Sequence, residues 1–181
     1  MSKAVLITGA TGKQGGAVVD ALLESPEAQK FTILAVTRNP DSPSAQKLKS
    51  RGVKIVTGDL NDVPAIFQNA KTVVDQPVWG VFSVQVPVGK GATTQTEEAQ
   101  GKALVDGAVA NGVKMFVYTS VDRGGDEKSF DNPTPIPHFI SKANIEKHLV
   151  EKAKVAGINW CILRPVAFMD VSSLLFPRRL A

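Results

Sequence analysis

Six short apolar runs recur along the chain, and between them apolar positions fall three and four residues apart. Ala4–Thr8 (AVLIT), Phe31–Thr37 (FTILAVT), Val53–Thr57 (VKIVT), Gly80–Val84 (GVFSV), Lys114–Thr119 (KMFVYT) and Trp160–Arg164 (WCILR) are rich in β-branched and aromatic residues. Bounded by Gly, Asn or Pro, they are predicted strands. Several are apolar at nearly every position, as in a parallel sheet covered on both faces. The intervening periodicity is helical. Gln14–Glu24 sets Val18, Ala21 and Leu22 on one side, and short helices are predicted at Ser44–Arg51 and Val63–Asn69. A long helix over Thr94–Asn111 ends in the stop signal Asn111-Gly112, and another over Pro137–Ala156 starts with proline, carries Lys142, Glu146 and Lys147, and stops at Gly157. Strand–helix alternation through six strands predicts an α/β doubly wound parallel sheet, a Rossmann fold with right-handed crossovers and little or no separate substrate domain.

Two stretches break this rhythm. Val121–Pro137 (VDRGGDEKSFDNPTPIP) is rich in Gly, Pro and Asp and reads as a mobile loop at the carboxyl edge of the sheet. After the sixth strand only a short segment ending in MDVSSLLFPRRLA remains. The expected division is a binding domain over 1–170 and a tail over 171–181.

Composition narrows the class. The chain is 43% hydrophobic and 21% charged, and its apolar runs are strand-sized, so no bilayer-spanning segment is expected. The opening is too brief for a secretory signal, and the single cysteine, Cys161, suits a reducing compartment, so a cytoplasmic location is expected. With His138 and His148 the only histidines, no metal-ligand spacing exists. The net charge of +4 is spread along the chain, which argues against direct nucleic-acid binding and accommodates a phosphate-bearing ligand.

The chemistry begins at LITGATGKQGG, Leu6 to Gly16. After a strand, Gly9 permits a tight turn, Gly12 removes the Cβ that would hold off a diphosphate, and Gly15 lets the next helix pack on the strand. With Ala10, Thr11, Lys13 and Gln14, these residues form a loop whose helix N-terminus presents amide N–H groups to an anion. At the end of the second strand, where an NAD site carries Asp or Glu, the chain reads Thr37-Arg38-Asn39. An arginine pairs with a 2′-phosphate, so NADP(H) is expected; the competing role is an ordinary solvated arginine. Asp59 and Leu60, ending the third strand, are placed beside the adenine, with a helix N-cap as the competing role for Asp59. Gln85, past the fourth strand, is expected near the diphosphate or ribose.

Together GATGKQGG, VTRNP, GDLND, HFISK and LRPVAFMD resemble the NmrA-like group of the atypical short-chain dehydrogenases, nearly from end to end. The resemblance implies an NADP-preferring domain in which Gly9 to Gly15 hold the diphosphate, Arg38 and Asn39 the 2′-phosphate, and Asp59 and Leu60 the adenine. Lys142 would bond the nicotinamide ribose, and Val166, Ala167 and Phe168 would line the nicotinamide. Two departures are expected from the family pattern: Val171 follows Phe-Met-Asp where the family has Asn, and the sequence is expected to lack the C-terminal portion that covers substrate in the family.

The ordinary short-chain dehydrogenase pairs Tyr and Lys as Tyr-x-x-x-Lys, the ammonium lowering the phenol pKa. Here that spacing is His138-Phe-Ile-Ser-Lys142, and the only tyrosine, Tyr118, lies inside a strand. Three catalytic candidates replace it: Lys142 itself, as in isoflavone-reductase-like relatives; His138, one turn earlier with a pKa near about 6.5; and Ser120, as a donor to a substrate carbonyl. The competing roles are a ribose ligand, a helix-start residue and a strand-end cap. Cys161 is expected in the core and His148 in solvent. Two functions follow. One is an NADP-dependent oxidoreductase acting on a small carbonyl or enone, in fungal-type secondary metabolism as the resemblance implies. The other is a catalytically silent NADP(H) redox sensor acting on a partner such as a transcription regulator, with nuclear access.

Overall fold

The computed structural model describes residues 2–85 and 93–166. Its six strands are β1 (Lys3–Ile7), β2 (Phe31–Thr37), β3 (Lys54–Thr57), β4 (Val78–Ser83), β5 (Met115–Thr119) and β6 (Asn159–Leu163). They form one all-parallel sheet in the order β3-β2-β1-β4-β5-β6. The doubly wound Rossmann reading holds. The order reverses between β1 and β4, and in sheets of this kind ligands bind outside the carboxyl ends flanking that point.

Apolar side chains on both faces of the strands give two cores. On one face Leu6, Leu34, Val81 and Phe116 pack beneath α3 (Val63–Val73), α4 (Thr94–Ala110) and α6 (Pro137–Ala156), reached by Ile66, Leu104 and Ile145. On the other Ile7, Ala35 and Phe82 meet Val19 of α1 (Lys13–Glu24) and Leu48 of α2 (Pro43–Ser50). Each Val, Leu, Ile or Phe side chain so removed from water contributes about 1.5–3 kcal/mol. α4 and α6 touch closely because Gly101 has no side chain; a Cβ there would lie 2.4 Å from Ile145 Cδ1.

Local chemistry sets the helix ends. Ser42 Oγ accepts from Ala45 N at 3.3 Å, Asp62 Oδ1 from Ala65 N at 3.2 Å, and Thr93 forms a capping box with Thr96. α6 opens on Pro137 and closes on left-handed Gly157 (φ 67). α3 continues to Val73, past the predicted Asn69, because Ala70 and Val73 extend its apolar face.

Three expectations are corrected here. The 121–137 segment is not a free loop: it contains a four-residue helix, α5 (Asp126–Ser129), and is anchored by Arg123, which is 3% exposed. β6 is the sheet edge rather than a buried strand, with Trp160 and Leu163 exposed and Cys161 half-buried instead of in the core. His148 is not turned to solvent; its Nε2 lies 2.9 Å from Asp106 Oδ1 on α4. The expected tail over 171–181 lies outside the described residues.

Candidate functional site

The glycine loop crosses from β1 to α1. Gly9 adopts φ +61, and its carbonyl accepts from Gly12 N at 2.9 Å, which closes the turn. Thr8 ties this end of β1 to β4: its Oγ1 donates to Val84 O at 3.0 Å and accepts from Val84 N at 2.8 Å. A Cβ on Gly15 would lie 2.4 Å from Gly9 O, so the first turn of α1 rests directly on the loop backbone. Ala10 is buried while Gly9, Thr11, Gly12 and Lys13 are exposed and Gln14 is half-buried. Gly12 is the N-cap of α1 and offers no side-chain cap, and the first turn holds no acidic residue, which keeps the helix's positive end undiluted. Gly15→Ala is therefore expected to abolish detectable dinucleotide binding and to lower the melting temperature, read by calorimetry and thermal unfolding. Unchanged binding would show that the close approach is not what shapes the loop.

Because all six strands are parallel, the remaining candidates lie along the same edge, spread over roughly 24 Å at the usual strand spacing. Arg38 is exposed, and its guanidinium has no hydrogen-bond or ion-pair partner among the described residues. Asn39 Oδ1 accepts from Asp41 N at 3.0 Å and orders the turn behind it. Asp59 is not the helix cap, a role taken by Asp62; its Oδ1 instead accepts from Asn61 N at 2.9 Å, and half-buried Leu60 packs on the core. Gln85 is buried, with Nε2 donating to Ser83 Oγ at 2.8 Å and Oε1 unpartnered among the described residues. Val166 is exposed, whereas Ala167 and Phe168 lie outside the described residues.

Lys142, on α6, is 8% exposed. Its Nζ stands 2.9 Å from Glu97 Oε1 of α4, at ion-pair distance though without the alignment of a good hydrogen bond, and 3.5 Å from Thr119 O. His138 precedes it by one turn, its ring edge-on to Phe139 at 4.6 Å. Tyr118 lies under the ammonium, with 5.8 Å from Nζ to the ring centroid. Burial, together with the charges of Glu97 and Glu146, pushes its phenol well above the ordinary range, so it remains protonated and is no base.

Ser120, a candidate donor to a substrate carbonyl, is engaged by neighbouring side chains. Its hydroxyl donates to Glu146 Oε1 and accepts from Arg123 Nη1 at 3.3 Å. Glu146 in turn holds Arg123 Nη2 and Arg164 Nη2, each at 2.8 Å. Burial alone would raise the Glu146 carboxyl, but the bonds from Arg164, Arg123 and Ser120 outweigh it and hold the group below its usual range. Glu97, Arg123, Glu146 and Arg164 were not singled out in the sequence. Their positions resemble ordinary helix-surface and loop charges, and the spacing of Lys142 and Glu146 suggests an exposed pair with each other. Folding separates the two.

Where the first turns of α4 and α6 meet, a recess of about 240 Å³ is lined by Thr94, Gln95, Glu98, Pro137, Ile140 and Ser141. Burial raises the Glu98 carboxyl, yet bonds from Asn144 and Lys102 prevail and keep it ionised. A larger hollow of about 480 Å³ lies at the amino end of β3, by Lys49 and Lys54, and contains none of the candidate residues. Among the described residues no group of His, Cys, Asp and Glu is arranged to hold a metal, and no helix is long and apolar enough to cross a membrane.

The sequence model of the NmrA-like family matches residues 1–178. An NmrA-like family domain-containing oxidoreductase of Cladobotryum sp is 34% identical over 126 residues, covering 66% of this chain and 34% of that protein. An NmrA-like family domain-containing protein of Dictyostelium discoideum is 29% identical over 181 residues, covering 99% of this chain and 56% of its own length. The chain thus spans one third to about half the length of these relatives. Among solved structures, the triphenylmethane reductase of Citrobacter sp. complexed with NADP(H) superposes with a TM-score of 0.72 at 22% identity, over 95% of this chain and 53% of that one. The NADPH-dependent quinone oxidoreductase of Escherichia coli complexed with NADPH gives 0.69 at 26% identity, over 94% and 53%.

Proposed function

The chain belongs to the NmrA-like family, and from that premise we propose that it binds NADP(H) along the carboxyl edge of its sheet and reduces a small carbonyl or enone compound with it. One observation carries the reading. The loop that Gly15 packs against is exposed beside a helix N-terminus, and the next strand ends in an exposed Arg38, without a side-chain partner among the described residues and with no carboxylate in the adjoining Thr37-Arg38-Asn39. The residues fit the cofactor at its other end too, since Gln85 Oε1 and Thr119 Oγ1 are buried without a partner among the described residues. The Escherichia coli relative's NADPH supports the same choice.

In this reading the amides of Gly9 to Gly15 take the diphosphate, Arg38 and Asn39 the 2′-phosphate, and Asp59 and Leu60 the adenine. Gln85 and Lys142 meet the nicotinamide ribose, with Val166, Ala167 and Phe168 beside the ring. A bound nicotinamide supplies the hydride. What this chain adds is a proton held at Lys142 Nζ, at the carboxyl end of β5 beside Thr119 O. Reduction in fungal-type secondary metabolism and a cytoplasmic location belong to the same proposal.

A second reading, an NADP(H) sensor acting on a regulatory partner with nuclear access, is favoured by the engagement of Ser120 with Glu146 and by His138 standing where the short-chain dehydrogenase tyrosine would precede Lys142. The experiment follows NADPH absorbance with aldehydes, quinones and enones. Lys142→Ala is expected to lower turnover by about 100-fold or more. Tight NADPH binding with no turnover on any compound favours the sensor, and undiminished turnover in the variant removes Lys142 from the chemistry.

A further inference from the structure

Glu97 is 0% exposed, and a carboxylate so deeply buried needs a compensating charge. It sits in the first turn of α4, where its Oε2 accepts from Ser141 Oγ at 2.6 Å and its Oε1 faces Lys142 Nζ at 2.9 Å. Ser141 and Lys142 are neighbours on α6, so one acid on α4 engages two consecutive residues of the opposing helix. The Gly101 contact with Ile145 holds those two helices at fixed separation one turn further on. Lysine is a long side chain with freely rotating donors, and it directs a proton only where something holds its head. Here the ammonium has three donors. Glu97, Thr119 O and the Tyr118 ring surround the ammonium, which stands at the carboxyl end of β5 where the ribose of the proposed cofactor would approach.

We infer that Glu97 is a positioning residue, which fixes the Lys142 ammonium in place for the ribose on the nicotinamide side of the bound dinucleotide. The inference rests on the proposed cofactor site. Glu97→Gln keeps the volume and a bond to Ser141 but removes the charge that holds Lys142.

Calorimetry on the full chain with two ligands tests it: NADP⁺, which carries the second ribose, and adenosine 2′,5′-bisphosphate, which does not. Glu97→Gln is expected to weaken NADP⁺ by about 10-fold and to leave the bisphosphate within about 2-fold. Adding it to Lys142→Ala should cost nothing further. Equal weakening of both ligands, or no weakening of NADP⁺, overturns the positioning role. Should Glu97→Gln fail to fold, Ser141→Ala with the same ligands decides, with a selective loss of about 3-fold for NADP⁺ expected and an unchanged ratio overturning the inference. Wild-type protein that binds neither ligand refutes the cofactor site itself, a result distinct from any failure of Glu97.

Discussion

Glu146→Gln is expected to destabilise the fold by about 3–5 kcal/mol, or roughly 6–20 °C in melting temperature. Glu146 and Arg123 side chains are both 0% exposed and Arg164 is 7% exposed, so the substitution strands the Arg123 guanidinium in a water-poor site and leaves Arg164 only its longer contact with Asp126 at 3.5 Å. The same change loosens the chain after β5. Arg123 gives Nη2 to Ser129 O at 2.6 Å and Nε to Asn132 O at 3.1 Å, and Glu146 is what holds its head. Chemical unfolding measures the loss, and a change below about 1 kcal/mol would mean that the cluster is solvated in solution.

The pH dependence has a definite sign. The folded-state pKa of Glu146 is depressed, so its contribution is present above the unfolded carboxylate value of about 4.3 and is lost as pH falls through the folded value. The stability difference between wild type and Glu146→Gln should therefore be flat near neutrality and shrink below about pH 4. A difference that grew on acidification would contradict the arrangement.

Arg38→Glu is expected to weaken NADP⁺ binding by about 100-fold while changing NAD⁺ binding by less than about 3-fold. A charged hydrogen bond to phosphate contributes about 1.5–3 kcal/mol, and the introduced carboxylate adds repulsion of a 2′-phosphate. It can instead accept from a 2′-hydroxyl, as acids at this position do in NAD sites. Since Arg38 is exposed and bonds to nothing among the described residues, the fold loses no contact. Melting temperature should stay within about 2 °C, so a binding change reports on the ligand alone. Equal losses for both dinucleotides would remove the 2′-phosphate from the role of Arg38.

The glycine loop and the six strands were legible because both are local. Gly9 at φ +61 and Gly15 against Gly9 O answer to short-range sterics, which a run of glycines between two apolar segments announces. Likewise the covered strands β2 and β4 announce themselves by unbroken apolar runs. β6 misleads for the same reason. Its sequence is as apolar as the others, and only its place at the sheet edge exposes Trp160 and Leu163.

Partnership between charges was not legible. Nothing in the spacing of Lys142 and Glu146 says that the first will meet Glu97, 45 positions back, or that the second will meet Arg123 and Arg164. The sequence by itself determined strand and helix order, the glycine turn after the first strand and the arginine that follows the second, since backbone sterics and apolar periodicity act within a few residues. Tertiary structure alone decided which buried carboxylate neutralises which cation, because Coulomb energy depends on distance in space and on the loss of water, and both are set only when α4 and α6 close over the sheet.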